Sequence, residues 1–133
     1  MRRAVWILLL TAAGVASAEP EQIVLVRHAE RSAEPTADPA LSPAGMARAQ
    51  ALAASLANAG VSAIITTQYR RSRETAQPLA ESMHIAPQIV AARKGEGAAH
   101  VTEVAAAVRA QVGGTVLVVG HSNTVIAIAA ALG

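Results

Sequence analysis

The sequence predicts an α/β fold, a three-layer α/β/α sandwich built on a mostly parallel sheet. Short apolar runs typical of buried strands alternate with longer stretches of helical spacing. The strands expected at 21–26 and 115–119 contain the unbroken apolar runs 23–26 and 116–119, as expected for strands that are covered on both faces. Strands that alternate with helices form right-handed units, which place helices on both sides of the sheet.

Each element has its own sequence signal. Ser42 and Pro43 supply an N-cap and a first-turn proline for a helix that Gly60 ends. A second helix is expected to follow residues 67–71 and to run to about Met83. The strands are expected at 21–26, 61–66, 85–90 and 115–119, and Pro87 weakens the third of them.

The third helix shows the clearest amphipathic stripe, and Gly113-Gly114 breaks it. The stripe consists of Val101, Val104, Ala105, Val108 and Val112. Residues 29–40 and 94–97 read as loops, and a last helix is expected to begin near Ser122.

Residues 1–18 are predicted to be a signal peptide that is cleaved after Ala18. Two arginines precede an apolar run, and the segment ends in the small-x-small pattern Ala-Ser-Ala. An uncleaved anchor helix is the alternative, but the apolar run is short for a bilayer core of about 30 Å. We therefore expect an exported protein, periplasmic or secreted, with no stable membrane association after cleavage.

The excess of basic over acidic residues in the chain comes from this segment. The sequence has 11 Lys and Arg against 9 Asp and Glu, and its calculated pI is near 9.9. Without Arg2 and Arg3 the two signs balance, so no nucleic-acid partner is expected. The chain has no cysteine, and an exported form would be stabilised without disulfides.

Reactive and cationic residues follow three of the predicted strands. Arg27-His28 ends the first strand, Arg70-Arg71 follows the second, and His121-Ser122 ends the fourth. The carboxyl ends of parallel strands lie at one edge of the sheet, where ligands bind in open α/β folds. Two histidines and at least two arginines are therefore expected to converge on one pocket.

These side chains suit a small phosphorylated substrate. Arginine pairs with phosphate oxygens through a fixed fork of donors. Histidine can attack phosphorus through one ring nitrogen when the other nitrogen carries a proton that an acceptor holds. A helix beginning at Ser122 would direct free N–H groups at the same anion. With no cysteine, H-x-H or H-E-x-x-H pattern, we expect chemistry without a metal or another cofactor.

Four motifs, in this order, resemble those of the histidine phosphatase superfamily, whose fold is phosphoglycerate mutase-like. The first two are V-R-H-A-E at 26–30, similar to the R-H-G signature, and L-S-P-A-G-M-A-R-A-Q at 41–50, similar to a helix start. The others are T-T-Q-Y-R-R-S-R-E-T-A at 66–76 and the second-histidine motif V-L-V-V-G-H-S-N-T at 116–124. The resemblance implies a histidine phosphatase domain over 19–133, of a small exported bacterial branch.

Position by position, the resemblance implies that His28 is the nucleophile and becomes phosphohistidine. Arg27 and Arg71 would hold the phosphoryl oxygens, and Ser122 is a further phosphate-binding candidate because of the helix expected to begin there. His121 would complete the pocket and stabilise the transferring group. The neighbouring arginines at 70 and 73 do not align with the family's arginine and are expected to be solvated helix charges.

The chain departs from the family pattern near its proton donor and at its end. Many members carry an acidic donor in an insertion after the second motif, where this chain is short. Glu30 and Glu96 are the candidates, and without a donor we expect substrates with leaving groups of low pKa. Members usually continue past the last helix, so one interpretation is that this sequence is a domain truncated at its C-terminus.

The resulting hypothesis is a metal-independent phosphatase of the histidine acid phosphatase type. The alternative is an exported phospholigand-binding module of the same fold that is weak or inactive in catalysis. An α/β-hydrolase elbow at Gly120-His121-Ser122 is excluded, because position 124 is Thr and nothing titratable follows Ser122. The sequence specifies neither the physiological substrate nor an oligomeric state.

Overall fold

The structure, a computed structural model, describes residues 19–133, so the predicted signal peptide lies outside the described residues. The elements in chain order are β1 (Gln22–Arg27), α1 (Pro43–Leu56), β2 (Val61–Thr66), α2 (Arg70–Met83), β3 (Gln88–Ile89), α3 (Gly97–Arg109), β4 (Thr115–Gly120) and α4 (Val125–Leu132). The strands pair in parallel in the order β1-β4-β2-β3. The predicted α/β fold with a parallel sheet is confirmed.

The central strand β4 explains why helices cover both faces of the sheet. All six of its residues are buried, and its side chains alternate between the two faces. Leu117 and Val119 pack in one apolar cluster, with residues of α2 and partly buried residues of α1. Val116 and Val118 pack in the other cluster, with residues of α3 and α4. No helix within residues 19–133 is long and apolar enough to cross a membrane.

Two helix boundaries differ from the prediction. The last helix begins at Val125 instead of near Ser122, because a turn follows β4 first. In that turn the backbone N–H of Thr124 and its hydroxyl both donate to the carbonyl of His121, at 3.0 and 3.2 Å. Helix α1 also ends earlier than predicted, at Leu56, and a turn leads from there to Gly60.

The amphipathic stripe on α3 and the third strand are shorter than predicted. Val112 does not belong to the stripe, since α3 ends at Arg109 and the Val112 side chain is 71% exposed. Gly113 and Gly114 follow with φ values of 66° and 64°, a conformation that glycine adopts at little cost and that turns the chain into β4. The predicted strand 85–90 pairs only at Gln88–Ile89, after Pro87, which has no N–H to donate.

Candidate active site

The carboxyl ends of β1 and β4 bring two histidines together. The strands pair in register with Arg27 opposite Gly120, and the backbone N–H of His28 continues the ladder by donating to the carbonyl of Gly120 at 2.9 Å. The rings of His28 and His121 lie 5.1 Å apart between centroids, with 60° between their planes. The predicted convergence of the two histidines is therefore present in the fold.

His28 presents one ring nitrogen with a free lone pair. Its Nδ1 lies 2.7 Å from the backbone oxygen of Ala29, and because a carbonyl can only accept, we assign the proton to Nδ1. In the neutral ring Nε2 then carries the lone pair that a nucleophile needs. Burial lowers the pKa of His28, and the charges of nearby arginines lower it further, against the opposing effect of the hydrogen bond to Ala29. The neutral, nucleophilic form is favoured.

The backbone after His28 is hydrogen-bonded to helix α2. The buried N–H of Ala29 donates to Thr75 Oγ1 at 2.9 Å, and that hydroxyl donates to the carbonyl of Arg71 at 2.6 Å. The next residue contacts helix α1: a Cβ on Gly45 would lie 2.1 Å from the carbonyl oxygen of Glu30. The two helices on this face of the sheet thus hold the loop that follows the histidine.

His121 is buried and held by a chain of hydrogen bonds from β2. Its Nε2 lies 2.8 Å from Thr67 Oγ1, and the N–H of Thr67 donates to Ser72 Oγ at 3.0 Å. Ser72 in turn donates to the carbonyl of Val119 at 2.9 Å. Burial, followed by the charge of Arg71, lowers the pKa of His121 to about 4. The ring is therefore neutral at neutral pH, and a Thr67 hydroxyl that donates to Nε2 leaves the proton on Nδ1.

The ring of Tyr69 contacts both Arg71 and His121. The guanidinium carbon of Arg71 is 4.4 Å from the ring centroid of Tyr69, a cation–π distance. The Tyr69 ring in turn meets the His121 ring edge to face at 5.4 Å. Tyr69, Arg71 and His121 line one concavity, while Arg27 and His28 line a second. The two concavities adjoin at the histidine pair.

Three predicted site residues lie away from this pair or have other partners. Ser122 is exposed in the turn after β4 and lines neither concavity. Glu30 contacts Arg48 at 2.6 Å, and this hydrogen bond lowers its pKa, the opposite of what a general acid requires. Glu96 is exposed on the loop beside the first concavity, 3.7 Å from Arg93.

The remaining arginines of the 66–76 motif have surface positions. Arg70 pairs with Glu74 at 3.2 Å, and the Arg73 side chain is exposed. Thr67 and Tyr69 lie in the same motif and contact His121, although no role was predicted for them. The motif indicated where they lie along the chain, but no pattern in the sequence indicated their contacts. Within residues 19–133 no three side chains of metal-binding types form a group.

Comparisons with solved structures agree with this fold. A protein from Nakamurella multipartitia, named as the phosphohistidine phosphatase SixA, aligns with a TM-score of 0.61 at 30% identity, over 80% of this chain and 62% of that one. The present chain thus spans less than two thirds of that protein's length. A search of the curated proteins finds no match.

Two further structures are more distant and show the fold alone. One is named as SixA from Agrobacterium tumefaciens, with a TM-score of 0.60, 24% identity, and coverage of 82% of this chain and 74% of that one. The other is a protein histidine phosphatase SixA complexed with tungstate, with a TM-score of 0.65, 16% identity and the same coverages.

The family itself is identified by a match over more than half of the chain. The family model of the histidine phosphatase superfamily (branch 1) matches residues 23–96. This range contains His28 and the two arginines predicted to bind phosphate, Arg27 and Arg71, and it ends before β4. Together with the fold and the histidine pair, the match shows that the chain belongs to the histidine phosphatase superfamily.

Proposed function

We propose that the protein is a metal-independent phosphatase that acts on phosphomonoesters or similar substrates through a phosphohistidine on His28. The observation that carries the proposal is the state of the His28 ring. The carbonyl of Ala29 holds Nδ1 at 2.7 Å and leaves Nε2 unprotonated, next to a second buried histidine. A ring prepared in this way can attack phosphorus without a separate base.

In the first step the arginines hold the phosphoryl oxygens while Nε2 of His28 attacks phosphorus. A P–N bond forms, and the P–O bond to the leaving group breaks with its electron pair on the leaving oxygen. The Nδ1–H of neutral His121 can donate to a phosphoryl oxygen as charge develops there. Arg27 and Arg71, which are permanently charged, stabilise the same developing negative charge.

In the second step water attacks the phosphohistidine. The P–N bond breaks, inorganic phosphate leaves with the water oxygen, and the lone pair returns to Nε2 of His28. A tetrahedral oxyanion, tungstate, is bound by one structurally similar phosphatase, which supports a phosphoryl site in this fold.

The leaving oxygen of an ordinary ester also needs a proton. Glu30 lines the concavity of Arg27 and His28 but is paired with Arg48, and Glu96 stands on the loop beside the other concavity, 3.7 Å from Arg93, so an arginine pairs with each candidate. We therefore propose leaving groups of low pKa, such as aryl phosphates, phosphoanhydrides and phosphohistidine, as the more readily cleaved substrates. Two relatives named as phosphohistidine phosphatases are consistent with this choice.

The proposal is tested with para-nitrophenyl phosphate and the purified full chain. We expect turnover by the unmodified protein and a loss of at least about 1000-fold in the His28→Ala variant, because the nucleophile is removed. His84→Asn is a matched control, since His84 lies at the end of α2, where its left-handed backbone conformation also suits asparagine.

Trapping experiments address the intermediate. Acid quench after incubation with labelled substrate should leave label that is lost in acid and kept in alkali, as a phosphohistidine is. Acid-stable label would remove His28 from the role of nucleophile. Absence of turnover at every pH between about 4 and 8, with phosphate binding retained, would instead identify the phospholigand-binding module.

A further inference from the structure

The basic side chains of the protein are concentrated around the histidine pair. The sequence has 11 basic residues, and setting aside Arg2 and Arg3 leaves nine in residues 19–133, against nine acidic residues. Six of these nine basic residues line the two concavities, whereas only one carboxylate does, that of Glu30. The six are Arg71, Arg93 and Lys94 in the first concavity and Arg27, Arg31 and Arg48 in the second. A cleft lined by one sign of charge attracts ligands of the opposite sign.

Most of this positive charge is not neutralised by the protein. Four of the six basic residues form no ion pair with a carboxylate of residues 19–133, and these are Arg27, Arg31, Arg71 and Lys94. Arg48 is paired with Glu30 at 2.6 Å. Arg93 lies 3.7 Å from the nearest carboxylate oxygen, in Glu96, which is beyond hydrogen-bonding distance. The site therefore has more positive charge than one transferred phosphoryl group engages through Arg27 and Arg71.

Arg31 adds its charge to the site from a fixed backbone. It forms an isolated antiparallel bridge with Leu41, and the N–H of Ser32 donates to the carbonyl of Ala40 at 2.7 Å. Burial is the main cause of the lowered pKa of His28, and the charges of three arginines, Arg31 among them, lower it further. The charge of Arg31 thus acts on the ring of His28, in the concavity that both residues line.

The acidic residues near the site restrict the leaving group in the same direction. An alcohol leaving group needs a proton as the P–O bond breaks, and both candidate donors, Glu30 and Glu96, are paired with arginines. A phosphate leaving group has a second pKa of about 6 and departs as an anion without a donated proton. Among leaving groups of low pKa, it also carries negative charge before the bond breaks.

We propose that the substrates are phosphoanhydrides and that Arg31 is a specificity-determining residue that binds the departing, anionic phosphoryl group. The inference rests on the proposed function for the placement of the transferred phosphoryl group at the histidine pair. Nε2 of His28 attacks the terminal phosphorus, and a P–N bond forms. The bridging P–O bond breaks with its electron pair on the oxygen of the second phosphoryl group, which departs as a phosphate anion.

The test compares three ligands that share one phosphonate group and are not hydrolysed, namely methylphosphonate, methylenediphosphonate and benzylphosphonate. Calorimetric titration of the full chain, in buffer with EDTA, should give a dissociation constant about tenfold to hundredfold lower for methylenediphosphonate than for methylphosphonate. Benzylphosphonate adds an uncharged group of larger size and should bind less tightly than methylenediphosphonate. Raising the salt concentration from about 0.05 to about 0.5 M should lower the ratio of the first two constants, because exposed charges are screened.

Variants of Arg31 identify the residue responsible. Arg31→Gln removes the charge and should lower the ratio for methylenediphosphonate over methylphosphonate by about threefold to tenfold. Arg31→Lys keeps the charge and should keep most of the ratio. Arg73→Gln is the matched control, since Arg73 is an exposed arginine that lines neither concavity, and it should keep the ratio of the unmodified protein.

Equal affinities for methylphosphonate and methylenediphosphonate in the unmodified protein would overturn the inference, as would tighter binding of benzylphosphonate or an absence of binding by all three. A ratio that is unchanged in Arg31→Gln would remove Arg31 from the role. If that variant fails to fold, a ratio that is insensitive to salt in the unmodified protein overturns the inference instead. Turnover of para-nitrophenyl phosphate is measured alongside, and its failure counts against the proposed function, whereas the ratio of affinities judges the leaving group.

Discussion

The residues of the site keep two imidazoles neutral among positive charges. Burial is the main cause of the lowered pKa of both His28 and His121, and the charge of Arg71 lowers both further. In the proposed mechanism the same guanidinium holds the phosphoryl oxygens. Arg71 would thus both bind the substrate and keep the nucleophile unprotonated.

Thr67 is the positioning residue whose loss should be felt most directly at His121. In Thr67→Val the methyl group replaces the hydroxyl 2.8 Å from Nε2, so the ring loses the partner that determines its tautomer. We expect kcat/KM for para-nitrophenyl phosphate to fall by about tenfold to hundredfold, and the free energy of unfolding to fall by about 1–3 kcal/mol.

Steady-state kinetics and urea unfolding check this prediction. Thr67→Ser keeps a hydroxyl at the same place and should recover most of the activity. If Thr67→Ser and Thr67→Val lose activity equally, the hydroxyl has no part in positioning His121.

At the scale of elements, helices α1 and α2 restrain the loop that follows His28. Helix α2 does so through Thr75, whose hydroxyl accepts from the N–H of Ala29. Helix α1 does so by close approach at Gly45, where Ser42 Oγ also caps the helix by accepting from the Gly45 N–H at 3.0 Å. The helix start at 41–50 is therefore part of the support of the site.

Two glycine-to-alanine changes should have opposite effects on stability. Alanine normally stabilises a helix relative to glycine by about 0.5–1 kcal/mol. At Gly45 the new Cβ would meet the carbonyl of Glu30 at 2.1 Å, and we expect a loss of about 1–3 kcal/mol in the free energy of unfolding. At Gly97, also in the first turn of a helix, no atom lies within 4 Å of the new Cβ, and a gain of up to about 1 kcal/mol is expected.

Chemical denaturation of both variants provides the measurement. A Gly45→Ala variant as stable as the unmodified protein would show that the contact between α1 and the loop relaxes at no cost.

The order of the elements and the ends of the strands were predictable because they depend on local patterns. The pairs Arg27-His28 and Gly120-His121 stand where apolar runs stop, and parallel pairing brings such ends together. The start of α4 was not predictable in this way. It depends on hydrogen bonds between His121 and Thr124, which form a turn before the helix.

The supporting residues of the site were missed for a related reason. Thr67 meets His121 across 54 positions of sequence, a contact that no local pattern indicates. Tyr69 lies between two arginines and a strand, where nothing distinguishes it from a surface residue.

At the scale of the whole molecule, the buried histidines make stability depend on pH. The unfolded chain protonates His121 near its ordinary pKa of 6.5, whereas the folded protein does so at about 4. Between these values the unfolded state binds more protons, so the free energy of unfolding falls as the pH is lowered through this window. For His121 the total loss is up to about 3 kcal/mol, and His28, whose pKa is also lowered, acts in the same direction.

Urea unfolding of the unmodified protein and of His121→Asn, between about pH 4 and pH 7, checks this prediction. The difference between their stabilities should change with pH, since only the unmodified protein has the histidine that titrates differently on folding. A difference that stays constant across the window would contradict the lowered pKa.

The strand order also determines when the site can form. His28 follows β1 and His121 follows β4, and the two histidines meet because the first and last strands of the described chain lie side by side. A ribosome that has released only the segments up to α3 has produced β1 and β2 but not β4, the strand that lies between them in the sheet. Closing that long loop is slow relative to local helix formation. The histidine pair is therefore the last feature of the site to form as the chain folds, because no intermediate lacking β4 can hold it.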